Sequence, residues 1–89
     1  MEAWLWQPVE TNGIPVGRIV DVICDAERNI VGFEVRCEDR QHRFLPRSAA
    51  REGASGIEID STLALLDTEQ LEFYRRRGVS LRPGEEPAA

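Results

Sequence analysis

The chain has no lysine: all eleven of its basic residues are arginine. It has one histidine and two cysteines, Cys24 and Cys37. That set cannot furnish a four-ligand zinc site of the common kind, so no metal is expected. No apolar run approaches the ~20 residues that a membrane-crossing helix needs, and no membrane insertion is expected. The opening stretch, "MEAWLWQP", lacks the basic start and long apolar core of a secretory signal. The expected compartment is therefore the cytoplasm, where both thiols stay reduced. The net charge of −5 opposes broad binding to a phosphate backbone, which needs a clustered positive face. Direct contact with nucleic acid is not expected.

What remains is 89 residues, enough for one small domain. A chain this short buries only about 60% of the surface that its unfolded form exposes. With disulfides and metals set aside, the expected aid to stability is self-association, most simply as a homodimer.

The β signals are dense. Trp4 to Val9 is a short aromatic and β-branched run. Asn12-Gly13 is a strong two-residue hairpin signal. Val16 to Cys24 is the strongest strand candidate. Pro15 fits at its start, where no N–H is needed, and Gly17 marks a bulge or tight bend. Asp25 and Asn29 punctuate the next turn. Ile30 to Cys37 alternates, with Val31, Phe33, Val35 and Cys37 on one face and Gly32, Glu34 and Arg36 on the other. His42 to Pro46 is a short strand that Pro46 stops. Gly56 to Asp60 is another, and Leu63 to Leu66 reads as a strand or extended segment closing the sheet.

The pattern then changes. Asp67 to Gly78 reads as one short helix, with Asp67 as N-cap, Gln70 suiting a capping box and Gly78 as the stop. Glu69 in the first turn and Arg75, Arg76 and Arg77 in the last follow the order that the helix dipole prefers. Leu71 and Tyr74 share a face that must pack on something. Residues 79–89 have the composition of a disordered tail. Five or six short strands with tight turns, followed by one helix, suggest a small barrel or sandwich.

In order, the chain shows Val16-Gly17-Arg18-Ile19-Val20-Asp21, a hydrophobic strand Val22 to Cys24, the turn residue Asp25, and the strand Ile30 to Val35. Leu45-Pro46-Arg47-Ser48-Ala49 follows. This order and spacing, over about Trp6 to Leu66, resembles the PRC-barrel domain. That family includes the cytoplasmic domain of the photosynthetic reaction-centre H subunit and the C-terminal domain of a ribosome-maturation factor. The resemblance implies a mainly β fold: a small, strongly bent PRC-type β-barrel of five to six short strands with one C-terminal α-helix. The β domain would span residues 1–66. The helix, residues 67–78, would pack on the barrel or on a partner subunit. The resemblance brings no active-site motif with it.

Each candidate site has a structural explanation. Gly13 and Gly17 could be imagined as an anion loop, but the residues that follow are strand formers rather than a helix start. Asp21 lies inside a β-branched run and is expected to cap backbone amides or pair with an arginine such as Arg18 or Arg43. His42 is expected at the solvated surface. Cys24 and Cys37 are expected to be small buried hydrophobes. Asn12, Gly13, Gly17, Asp21 and Pro46 are thus structural positions. The candidate interaction surface is Trp4, Trp6, Leu71, Phe73, Tyr74, Arg75 and Arg76, with both tryptophans on one side of a strand. With no catalytic constellation and no cofactor motif, the expected function is a non-enzymatic protein-interaction or adaptor module. The resemblance offers two alternatives: an accessory factor in ribosomal RNA processing that binds a ribosomal protein, and an accessory to a membrane-bound electron-transfer complex.

Overall fold

A two-residue turn at Asn12-Gly13 joins the first two strands, β1 (Pro8–Thr11) and β2 (Ile14–Cys24). Both turn residues have positive φ, 52° and 77°, as a type I′ hairpin requires. Asn and Gly take that conformation at low steric cost. The computed structural model describes residues 2–77 and 79–80.

Strand β2 is the spine of the fold. It pairs antiparallel with β3 (Ile30–Cys37), and β3 pairs antiparallel with β4 (His42–Pro46). On the other side, β1 pairs parallel with β6 (Ile57–Glu58), which pairs antiparallel with β5 (Arg51–Glu52). The sheet order is β4-β3-β2-β1-β6-β5. The last strand, β7 (Val79–Ser80), pairs with the end of β2. The single α-helix, α1 (Thr68–Arg77), packs closest to β4. The fold is mainly β with one C-terminal helix, as expected. Among the described residues the sheet is mixed and open: its ends β4 and β5 do not pair, so closure into the expected barrel is not shown.

Three register shifts bend the spine. Val9 and Glu10 of β1 face Gly17 and Pro15, which leaves Val16 as an extra residue. Ile19 and Asp21 face Val35 and Glu34, which leaves Val20 extra. Ile23 and Cys24 face Gly32 and Ile30, which makes Val31 the extra residue on β3. Such bulges increase local twist and reset which face a side chain meets. Gly17 lies in this bent zone, and a Cβ there would come within 2.7 Å of the Arg36 carbonyl oxygen.

The bulge at Val20 decides the two faces of the sheet. Without it, strict alternation would put Ile19, Asp21 and Ile23 together. With it, Ile19, Val22 and Cys24 join one core with Val9, Phe33, Val35 and Leu45. Ile23 joins Phe44 and Leu71 in a second cluster under α1. The helix therefore covers one face of the sheet, and the larger apolar core lies on the other.

Side chains hold the turns. Asp25 Oδ1 accepts from the Glu27 and Asn29 amides, both at 2.9 Å. Asp39 Oδ1 accepts from the Gln41 amide at 2.9 Å. Asp67 caps α1 by accepting from the Gln70 amide at 3.1 Å.

Several expectations change. Trp4 to Val9 is not one strand: Glu2–Trp4 is a 3-10 turn, and β1 begins at Pro8. Only Ile57–Glu58 of the expected fourth strand run is paired as strand, though Ile59 is also buried. Leu63 to Leu66 divides: Thr62–Ala64 is a 3-10 turn capped by Ser61, and Leu66 makes an isolated bridge with Phe44. Val79–Ser80 pairs with β2 and so does not belong to a tail beginning at residue 79. Gly78, the expected helix stop, and residues 81–89 lie outside the described residues.

Candidate functional site

The face of the sheet under α1 carries a buried row of unlike residues. Asp21 on β2 stands opposite Glu34 on β3, and Glu34 stands opposite Phe44 on β4. Asp21 is fully buried and Glu34 is 2% exposed. Two carboxylates directly opposite each other on a sheet repel. A buried carboxylate also needs partners. Glu34 Oε1 takes Arg75 Nη1 of α1 at 3.2 Å. Glu34 Oε2 takes His42 Nδ1 of β4, its diagonal neighbour across the strand pair. Asp21 Oδ1 accepts from the Val22 amide at 2.9 Å.

The helix is fastened at further points. Thr68 Oγ1 donates to the His42 carbonyl oxygen at 3.0 Å. Tyr74 stacks on Phe44 with ring centroids 4.1 Å apart and planes at 5°. Leu71 is buried against Ile23 and Phe44. The arrangement is a clasp: apolar contacts seat α1, and Arg75 answers a carboxylate that the sheet buries. Among the described residues no three metal-ligating side chains converge. No described helix is long and apolar enough to cross a membrane.

His42 lies at the surface, its side chain 41% exposed, and it also contacts the buried Glu34, a partner that its turn-edge position did not announce. Asp21 caps a backbone amide, one of its two expected roles, and the two arginines named for the other, Arg18 and Arg43, bond to other groups. Arg43 makes two bonds to Asp39, at 2.9 and 2.8 Å. Arg18 donates to the Trp6 carbonyl oxygen at 2.6 Å. Cys24 and Cys37 are both buried, and no disulfide joins them. Burial, then the Asp25 and Asp21 carboxylates, push the Cys24 thiol up from its usual range.

The seven residues of the candidate interaction surface do not form one patch. Leu71, Tyr74 and Arg75 are engaged inside the clasp. Phe73 is 47% exposed and lines a groove on α1 with Glu72 and Arg76. Trp4 packs on the larger core, its ring 4.8 Å from Phe33, with the Arg47 guanidinium 4.7 Å above it.

Trp6 differs from all of these. Its φ is +68°, a left-handed conformation rare for a bulky residue. Its amide donates to the Ile19 carbonyl oxygen at 2.8 Å, and its own carbonyl is held by Arg18. The indole is 51% exposed. This backbone separates Trp6 from Trp4, so the two do not share a strand face. The conformation costs about 1–2 kcal/mol, and the flanking bonds to β2 maintain it.

Compared with family models, curated proteins and solved structures, the chain matches none.

Proposed function

We propose that this chain is a non-enzymatic protein-interaction module that pairs with a second copy of itself. The observation that carries the reading is Trp6: a large aromatic ring held half in solvent by a strained, doubly anchored backbone. Isolated exposed apolar residues are ordinary. A tryptophan kept outward against a conformational cost is less so, and tryptophan is enriched at the energetic centres of interfaces. Ile14 and Leu63, also exposed, add apolar surface that a small chain leaves uncovered.

The reading includes membership of the PRC-barrel family. It is supported by the order of motifs from Val16 to Ala49 and by the three bulges that bend β2 and its partners. A soluble cytoplasmic protein is the setting that goes with it.

Light scattering at roughly tens of micromolar chain tests the proposal. A dimer mass is expected, falling to the monomer mass in Trp6→Ala with an unchanged circular dichroism spectrum. A monomeric wild type, together with a tagged copy that retrieves no partner from cell extract, sinks it.

A further inference from the structure

A depression of about 430 Å³ beside the β1–β2 hairpin is lined by Arg18, Arg36 and Arg40, together with Glu38, Pro8 and Pro15. Arg18 and Arg36 stand directly opposite each other on β2 and β3. Like charges so placed destabilise a sheet unless something lies between them. The chain has acidic residues in excess, sixteen against eleven basic ones. Elsewhere it uses them to neutralise arginines: Arg43 on Asp39 at 2.8 Å, Arg51 on Asp60 at 2.7 Å and Arg75 on Glu34 at 3.2 Å.

In the depression it does not. Arg36 and Arg40 make no ion pair among the described residues. Arg18 gives one N–H to a neutral carbonyl and keeps its other donors. Asp39, the sequence neighbour of Arg40, is gripped by both Arg43 nitrogens and cannot serve. Among the described residues Glu38 is the only acidic side chain in the lining. Three arginines against one glutamate leave two positive charges.

We propose that this depression binds the dianionic phosphate group of a small phosphomonoester. Three guanidinium forks suit the three outer oxygens of such a group, whereas a carboxylate occupies only one fork. The two net positive charges match the charge that a phosphomonoester carries at neutral pH. The pyrrolidine rings of Pro8 and Pro15 give the organic part of the ligand an apolar wall. Arg18 also anchors the Trp6 backbone, but the test below varies Arg36 and Arg40 and reads ligand binding rather than oligomer mass, so its failure is distinguishable from failure of the function proposed above.

The test is a titration of the full chain, at constant ionic strength, with inorganic phosphate and with phenyl phosphate. Amide NMR shifts are the readout. Saturable shifts are expected at Gly17, Arg36 and Arg40, with phenyl phosphate binding more tightly than phosphate. Arg36→Gln and Arg40→Gln should each weaken binding about tenfold while the spectrum stays dispersed. Arg28→Gln, at the far turn, should leave affinity unchanged. Absence of saturation, full affinity in both variants, or equal loss in Arg28→Gln each overturns the site. Equal affinity for the two ligands overturns the phosphomonoester assignment.

Discussion

The two faces of the sheet solve the same problem in opposite ways. One face is dry: Val9, Ile19, Val22, Phe33, Val35 and Leu45 pack with no charged side chain among them. The other face, under α1, buries two carboxylates beside Ile23, Phe44 and Leu71. A dry core gains stability from area removed from water and depends little on any one partner. A buried carboxylate reverses that logic. Its removal from water is costly, and the face is stable only while the right cation stays in place. The dry face therefore makes the fold, whereas the charged face specifies where the helix sits.

Mutations can break or sharpen this contrast. The largest effect is expected on the dry side: Phe33→Ala should cost about 3–5 kcal/mol by urea unfolding. Its loss should weaken every element together, so all amides lose exchange protection in step. Arg75→Ala should cost about 2–3 kcal/mol, below the range for a fully buried pair because Arg75 is 30% exposed. Here the loss should be local. Hydrogen exchange of α1 should quicken while β2 and β3 remain protected. Equal acceleration throughout would mean that the two faces are not separable.

Asp67→Ala removes only the helix cap and should cost about 1 kcal/mol, again confined to α1 by exchange. The smallest effect belongs to neither face. The Arg43 guanidinium and the Gln41 amide hold the exposed Asp39 carboxyl down to about 2, from its ordinary 3.8. A depressed folded value means that the pair stabilises the fold fully above about 3.8 and loses this as pH falls through about 2. Asp39→Asn should remove that step from the carboxyl NMR titration without moving α1.

Much of the fold was legible because it rests on local chemistry. Asn12-Gly13 names its own hairpin, Asp67 with Gln70 marks a helix start, and Pro46 ends its strand. Alternation in β3 separated Phe33, Val35 and Cys37 from Glu34 and Arg36, but it misplaced Val31, which the bulge turns to the helix side beside Ile23 and Phe44. It could not tell that Glu34 is buried, because alternation assigns a face and not what covers it. The amphipathic helix was the available signal: an apolar side on α1 needs a sheet face beneath it, and Glu34 lies there. Trp6 was misplaced for a different reason. A left-handed backbone at a single residue leaves no mark in a hydrophobic pattern.

The sequence by itself determined the turns, the three long strand stretches and the helix, the burial of both cysteines and the reliance on arginine alone for positive charge. Only tertiary structure decided where the charges went. One extra residue, Val20, shifts the phase of β2. That shift carries Asp21 to the helix side and places Ile19 and Val22 in the same core. A bulge is a property of two strands in register, and register is set by packing between residues distant in sequence. The pairing of Glu34 with Arg75, and the meeting of Arg18 with Arg36, follow from that same register.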